Sequence, residues 1–258
     1  MPYLGMLFLA NAGRMVRMKG IYRFADVTVS VRYQYDFFQK LSANYLAQGE
    51  AEEFISVTED DIRQEAERFG ETYGVRNDVT ESAVIHRKLC ERLIFRDILL
   101  IHASAIAKDG KAYLFLAPSG TGKSTHTRLW RKVYGDDVFM VNDDKPLLRF
   151  CEDEILVYGT PWSGKHHLDR NVSVPIGGIC ILGRGEHNKI WRIPARDGLA
   201  ELFGSIYRPD ALEGMKRMLE LTSELARRIP LWKMECNMDP EAARMACEAM
   251  TSCKNEEG

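Results

Sequence analysis

The chain has 258 residues, which is enough for one large domain or two smaller ones with an ample hydrophobic core. It is 45% hydrophobic and 28% charged, with a formal net charge of -2, as is usual for a soluble globular protein. This balance excludes a bulk electrostatic attraction to nucleic acid or to an anionic membrane, and no apolar run reaches transmembrane length.

The first 13 residues contain a short apolar run that ends in Ala-x-Ala, as a signal peptide does. They lack a positively charged start, so we interpret residues 6–9 as a strand and expect a cytoplasmic protein. The six scattered cysteines form no C-x-x-C pair, which predicts free thiols in a reducing compartment rather than zinc ligands or disulfides.

Residues 1–95 predict a smaller α+β domain without a cluster of catalytic side chains. Strand patterns cover residues 14–18, 21–33 and 54–57, and Val27, Val29 and Val31 alternate with polar residues as in a half-buried strand. Residues 37–46 predict a helix. Thr58 and Asp61 predict a capped helix start, and a further helix is expected to begin at Thr80.

Residues 96–258 predict a second domain that opens with two strands and a tight turn. The strongly apolar run at residues 97–105 predicts one strand, and Asp109-Gly110 is a hairpin dipeptide. Residues 111–117 predict the returning strand, which leads into a glycine-containing loop. This pairing places His102 on the strand beside the one that enters the loop, where a functional role and a core position are both open.

That loop carries a phosphate-binding motif, Ala117-x-x-x-x-Gly122-Lys123-Ser124, which departs from the usual pattern in having Ala117 at the first glycine position. Glycines let backbone N–H groups point at an anion, and the helix that follows adds its positive end. Lys123 is expected to reach the terminal phosphates and the Ser124 hydroxyl to bind magnesium. The residues expected to bind the nucleotide are Ser119, Gly120, Thr121, Gly122, Lys123, Ser124 and Thr125.

Two adjacent carboxylates, Asp143 and Asp144, end the apolar strand that follows the motif helix. A strand that delivers an acid at its carboxyl end, after a phosphate-loop helix, supplies the second magnesium-binding group in such folds. We expect both side chains to serve magnesium binding and catalysis. The alternative is a solvated turn before Pro146.

A loop at residues 159–168 carries further candidates, of which Lys165 is the strongest, as a cation able to hold phosphate or acceptor. His166 and His167 are adjacent, so their side chains diverge, and no third metal ligand is evident. Strand pairs are predicted at 147–150 with 155–158 and, across a hairpin turn at 183–188, at 172–182 with 189–193. A helix through 212–225, a strand at 232–236 and a helix from Pro240 complete the chain.

His102, the loop from Ser119 to Ser124 and the pair Asp143-Asp144 together resemble the HPr kinase/phosphorylase-like family, which shares its catalytic fold with phosphoenolpyruvate carboxykinase. The stretches at 159–165 and 174–188 resemble a shorter, divergent branch, some of whose members accompany peptide-modification gene clusters. The resemblance covers roughly residues 98–240. It implies that ATP and Mg²⁺ are bound, with Ser124 and one aspartate on the metal. It also implies that the other aspartate, which His102 helps to orient, accepts the proton of an attacking serine hydroxyl.

This chain also departs from the family. Thr125 stands where bacterial HPr kinases have a glutamate, and their Arg-Gly-Leu-Gly signature is absent. The resemblance therefore implies neither HPr as the acceptor nor the reverse phosphorylase reaction.

The combined expectation is an α/β protein, with a P-loop catalytic domain like that of HPr kinase and phosphoenolpyruvate carboxykinase behind a smaller α+β domain. We expect an ATP-dependent kinase that transfers the γ-phosphate to a hydroxyl, with serine favoured, of a protein, peptide or small molecule. The main alternative is a nucleotide-binding regulatory module with little or no phosphotransfer, and a carboxykinase is weaker because the chain is short. A homo-oligomer is compatible with the sequence, whereas nucleic acid and membrane are not expected as partners.

Overall fold

A computed structural model of the chain describes residues 18–68, 76–118 and 122–252. Outside these ranges lie the predicted strand at residues 6–9, residues 14–17 of the strand predicted at 14–18, and the loop residues Ser119, Gly120 and Thr121. Twelve strands and seven α-helices lie within them. The strands are β1 Met18–Phe24, β2 Val27–Tyr33, β3 Glu53–Ser56, β4 Ile98–Leu100, β5 Ser104–Lys108, β6 Lys111–Leu116, β7 Val138–Asn142, β8 Leu147–Phe150, β9 Ile155–Tyr158, β10 Ser173–Arg184, β11 Lys189–Ile193 and β12 Leu231–Cys236. The helices are α1 Asp36–Leu41, α2 Glu59–Arg68, α3 Asn77–Leu93, α4 Lys123–Tyr134, α5 Ala195–Ser205, α6 Leu212–Arg228 and α7 Pro240–Thr251.

The first three strands form a small sheet, in which β2 lies between antiparallel β1 and parallel β3. The run at residues 21–33, expected to be strand-like throughout, is a hairpin. Ala25 and Asp26 form the turn, with positive φ values of 48° and 61°. Such turns usually carry Asn-Gly or Asp-Gly, and because neither dipeptide is present here the sequence did not predict the turn. Thr28 and Ser30 are buried along with the valines, so β2 is covered on both faces.

The helix starts of this part differ in how well local sequence predicts them. The Thr58 N–H donates to Asp61 Oδ2 (2.8 Å) and the Asp61 N–H donates to Thr58 Oγ1 (3.2 Å), so the predicted capping box is present at α2. Helix α3 begins at Asn77 rather than at Thr80, and Asp78 gives its first turn a carboxylate near the positive end of the helix dipole.

Strands β4–β12 form a mixed sheet in the order β4-β8-β9-β10-β6-β5-β7, with β12 beside β10 and β11 beside β12. The long strand β10 belongs to both halves of this sheet. Residues 173–175 pair with β9, and later residues of β10 run parallel to β6 and β12. The predicted hairpin at 183–188 is wrong, since β12 lies between β10 and β11. A strand that arrives much later in the chain takes the place that the local pattern assigned to β11.

The apolar run at 97–105 is split into two strands, which corrects the prediction of one. Strand β4 pairs with β8, whereas β5 pairs with β6 and β7. Between them, the N–H groups of Ile101, His102 and Ala103 donate to the carbonyls of Pro146, Ser205 and Asp144 at 3.2, 2.6 and 3.1 Å. His102 therefore lies in the link between β4 and β5, not on the strand beside β6.

Helices cover both faces of the large sheet. Helices α4 and α7 pack on one face around Trp130, and α5 and α6 pack on the other around Leu202 and Leu225. A third cluster joins the N-terminal sheet, α1 and α3 to Ile98 of β4 and Leu147 of β8, and so crosses residue 95. The division of the chain into two domains at that residue stays a prediction.

No helix in the described ranges is long and apolar enough to cross a membrane. The cysteines in those ranges are free thiols, buried at Cys90, Cys180 and Cys247 and half-buried at Cys151 and Cys236.

Candidate functional site

A cleft of about 850 Å³ opens at the start of α4, beside the ends of β6 and β7. It brings together every described residue that the sequence assigned to phosphate, metal or catalysis. These are His102, Gly122, Lys123, Ser124, Thr125, Asp143, Asp144 and Lys165. The assigned residues Ser119, Gly120 and Thr121 belong to the part of the chain that is not described.

The first turn of α4 supplies the motif residues. Gly122 has a φ of 125°, which suits glycine, and the helix begins at the next residue. Lys123 is only 8% exposed, and its ammonium donates to the Ala117 carbonyl at 2.9 Å. Burial lowers the pKa of Lys123, although the carboxylates of Asp144 and Asp143 act in the opposite direction. The lysine is thus tied across the loop, with its charged group beside the acids of the cleft.

The turn that carries the two acids is held by Asn142, which is fully buried. Its Oδ1 accepts the N–H groups of Asp144 (2.8 Å) and Lys145 (2.7 Å), and its Nδ2 donates to the Thr160 carbonyl (2.9 Å). The Thr160 hydroxyl in turn donates to the Lys145 carbonyl at 2.8 Å. A side-chain oxygen that closes the turn in this way fixes the backbone, and with it the direction of both carboxylates.

The two carboxylates have different surroundings. Asp143 is 6% exposed, and its Oδ1 accepts the Ser104 hydroxyl at 2.8 Å. Asp144 Oδ1 lies 3.0 Å from His102 Nε2, and the two side chains are 28% and 46% exposed. Burial alone raises the pKa of Asp144, but the hydrogen bond with His102 and the charges of Lys145 and Lys123 outweigh burial and lower it overall. Asp144 is therefore ionised at neutral pH and more open to an incoming molecule than Asp143.

The loop after β9 forms another wall of the cleft. A side chain at Gly159 is excluded, because its Cβ would lie 1.9 Å from the Arg170 carbonyl oxygen. Gly164 has a φ of 72°, and a Cβ there would lie 3.4 Å from Asp144 Cβ. The turn at Gly164 therefore brings Lys165 and His166 to the cleft beside Asp144.

Trp162 anchors this loop to the N-terminal part of the chain. Its indole N–H donates to the Ser82 hydroxyl of α3 at 3.1 Å. Its ring lies 4.6 Å from the His86 ring and 6.1 Å from the Phe38 ring, between centroids. The sequence indicated a loop at Trp162 but gave no sign of this docking.

Asp169 provides a second anchor. Its Oδ2 accepts the Tyr45 hydroxyl at 2.9 Å, and its Oδ1 accepts the Ser163 hydroxyl at 2.5 Å. The segment that carries Lys165 is thus fastened at both ends to residues that precede the large sheet in sequence.

Two arginines that the sequence analysis did not single out also line the cleft, Arg128 and Arg131. They follow Ser124 at i+4 and i+7, the spacing of one helix face, so the signal was present in the sequence. Among the described residues neither has a carboxylate partner, and Arg131 Nε is buried without a hydrogen-bond partner. With Lys123 and Lys165 they make four cations against two carboxylates in the cleft, which favours a polyanionic ligand.

The oxygen groups of Ser124, Asp143 and Asp144 fit magnesium, which binds through one or two carboxylates and completes its shell with water and phosphate. In the described ranges, no group of three or more His, Cys, Asp or Glu side chains is placed to hold a metal ion by itself. A magnesium ion at this cleft would therefore depend on the phosphates of a ligand for part of its coordination.

No protein-family profile and no curated protein matches the chain. Among solved structures, the chain is similar to the Hpr(Ser) kinase/phosphatase from Coxiella burnetii, at 10% identity over 59% of this chain and 99% of that chain. The TM-score is 0.34. A similarity of this size assigns the chain neither to a family nor to an activity, so the functional case depends on the residues of the cleft.

Proposed function

We propose that this protein is an ATP-dependent kinase that transfers the γ-phosphate to a hydroxyl, with serine favoured, of a protein, peptide or small molecule. One observation carries the proposal. The motif residues Lys123 and Ser124 share a cleft with the paired carboxylates Asp143 and Asp144, with two arginines of the same helix and with Lys165 on the opposite loop. Positioning and charge neutralisation are the main requirements of phosphoryl transfer, and this set of side chains can supply both.

The nucleotide phosphates are assigned to the start of α4. Backbone N–H groups and the positive end of the helix favour an anion there. Lys123 adds an ammonium group whose attraction to a phosphate is stronger because the side chain is shielded from water. Arg128 and Arg131 extend the same cationic face along the helix. Ser124 and Asp143 would hold Mg²⁺, which neutralises charge on the phosphates during transfer.

The acceptor is assigned to the side of the cleft where Asp144 faces the Gly164 turn. Asp144 is the more exposed carboxylate, so an acceptor hydroxyl can reach it, whereas one oxygen of Asp143 is already bonded to Ser104. Asp144 accepts the hydroxyl proton, the oxygen attacks the γ-phosphorus, and ADP leaves. His102 holds the Asp144 carboxylate at 3.0 Å, and Lys165 neutralises charge on the acceptor side.

The proposal is tested with γ-labelled ATP. Wild-type protein and Lys123→Ala are incubated with Mg²⁺ and free serine, serine-containing peptides or fractions of a cell extract, followed by phosphoamino-acid analysis. The expected result is serine-linked phosphate that Lys123→Ala does not form, with little hydrolysis in the absence of acceptor, because a kinase must exclude water from its phosphate.

The regulatory module is the better account if no acceptor is labelled while nucleotide binds tightly and shifts association with another protein. A reaction without magnesium is the control for labelling that does not require the metal ion.

A further inference from the structure

A second cavity, of about 450 Å³, adjoins the cleft at the start of α4, since Gly122 and Thr125 line both. Leu129, Leu182 and Met238 give it apolar walls near the ends of β10 and β12. Its volume lies within the roughly 300–1,000 Å³ of small-molecule pockets. The base is the flat and largely apolar part of a nucleotide. The cavity is next to the phosphate side of the cleft, so a nucleotide whose phosphates occupy the cleft could place its base there.

His126 lines this cavity and has an unusual hydrogen-bonding state. Its ring is 2% exposed, and its Nε2 lies 3.2 Å from the indole nitrogen of Trp130. An indole N–H can only donate, so Nε2 is the acceptor. Because Nε2 accepts a hydrogen bond and so carries no proton, the single proton of the neutral ring is on Nδ1.

The Nδ1–H of His126 is therefore a buried donor, and among the described residues it has no hydrogen-bond partner. Buried polar groups in proteins are nearly always paired, and each exception calls for an explanation such as an absent ligand. An acceptor atom on a molecule in the cavity would supply the pairing that the described residues lack.

We propose that the second cavity binds the base of a purine nucleotide and that the His126 Nδ1–H donates to an acceptor atom of that base. The inference rests on the proposed function, because the phosphates of the same nucleotide would lie at Lys123 and Ser124. A purine is favoured over a pyrimidine because two fused rings cover more of the apolar wall than one ring does.

The first test needs only the wild-type protein. Its affinity is measured by calorimetric titration for the magnesium complexes of inorganic tripolyphosphate, ATP, GTP, CTP and UTP. Tripolyphosphate has the phosphates without the base. We expect ATP or GTP to bind at least about tenfold more tightly than tripolyphosphate and than both pyrimidine nucleotides.

The outcomes separate this inference from the proposed function. Equal affinity for tripolyphosphate and purine nucleotides overturns the base site and leaves the phosphate site intact. Tighter binding of CTP or UTP than of ATP and GTP overturns the purine assignment. Failure of every one of these compounds to bind overturns the nucleotide-dependent function itself, and the inference with it.

The second test assigns the role of His126. His126→Phe keeps an aromatic ring beside Phe115 and removes the Nδ1–H, and Trp130→Phe is the matched control, which removes the indole N–H and leaves His126 in place. We expect His126→Phe to weaken purine nucleotide binding about tenfold and to leave tripolyphosphate binding unchanged. Trp130→Phe frees the His126 proton to move to Nε2, so it is expected to weaken purine nucleotide binding by less than His126→Phe does and to leave tripolyphosphate binding unchanged. Equal losses for both ligands in His126→Phe would show a structural role and contradict the proposal.

Met238→Ala changes the cavity wall without disturbing the buried core, because Met238 lines the cavity and is 75% exposed. It is expected to weaken ATP binding several-fold through lost apolar contact, with no change for tripolyphosphate. Thermal melting checks that both variants are folded. If they are folded and both bind ATP with wild-type affinity, the base binds elsewhere.

Discussion

Two neighbouring carboxylates, Asp143 and Asp144, differ in their partners and in their exposure. Asp143 is bonded to Ser104 and almost fully buried, whereas Asp144 is paired with His102 and partly open. The sequence predicted the pair, because the strand and the acids are adjacent in the chain. It did not distinguish the two, because Ser104 lies 39 positions before Asp143 and carries no motif of its own.

The difference predicts two separate phenotypes. Asp144→Asn keeps the shape and removes the proton acceptor, so transfer should fall about 10²–10⁴-fold with little change in ATP affinity. Asp143→Asn should raise the magnesium concentration needed for half-maximal activity. Asp137→Asn, at an exposed acid before β7, is the matched control and should behave as wild type. Wild-type rates and magnesium dependence in both cleft variants would mean that the pair is only a turn.

At the scale of elements, sequence predicted strands and helices well where one local signal decided them and less well where distant segments did. The strand pair β8 and β9, the turn at Asp109-Gly110 and the helix that starts at Lys123 follow their local patterns. The break at His102 depends on carbonyls of Ser205 and Asp144, far away in the chain. The position of β12 between β10 and β11 has the same origin, because strand order depends on long-range pairing.

The loop that carries Lys165 is an element whose position depends on Tyr45 and Trp162. Tyr45→Phe removes one hydrogen bond to Asp169 and retains the ring, so the chain should fold normally while the loop is less well held. We expect a loss of transfer of about tenfold, with ATP affinity unchanged, because we assign the acceptor to the wall that this loop forms.

Tyr33→Phe is the matched control for this change. It also removes one hydroxyl from a buried tyrosine in the N-terminal core, but that hydroxyl is bonded to Tyr22 and not to the loop. Equal losses of transfer in the two variants would indicate a general loss of stability rather than a displaced loop. A change in ATP affinity in Tyr45→Phe alone would mean that the loop contacts the nucleotide.

At the scale of the whole molecule, buried histidines link packing to pH. Burial lowers the pKa of His86, beside Trp162, to about 3, with a smaller contribution of the same sign from Lys145 and an opposing one from Asp144. The unfolded chain has the ordinary value of 6.5. Between these two values the unfolded state binds a proton that the folded state does not, so the free energy of unfolding falls as the pH is lowered.

His86→Gln should therefore flatten the pH dependence of stability. From pH 6.5 to pH 5 the wild type should lose about 2 kcal/mol that the variant does not lose. Urea unfolding at several pH values measures this difference, and His187→Gln, at an exposed histidine, is the control. Burial raises the pKa of Glu81, so this residue makes the free energy of unfolding rise as the pH is lowered. Comparing the wild type with the variant cancels this opposing effect. Parallel curves for wild type and His86→Gln would contradict the assignment.

The central claim is that the cleft at the start of α4 binds the phosphates of a magnesium nucleotide. Calorimetric titration of Mg-ATP into wild type, Lys123→Ala and Lys165→Ala tests it most directly. We predict binding of one nucleotide per chain, a loss of at least about tenfold in Lys123→Ala, because a charge-assisted hydrogen bond is removed, and a change below about threefold in Lys165→Ala. Wild-type affinity in Lys123→Ala, or no binding by the wild type, would contradict the claim.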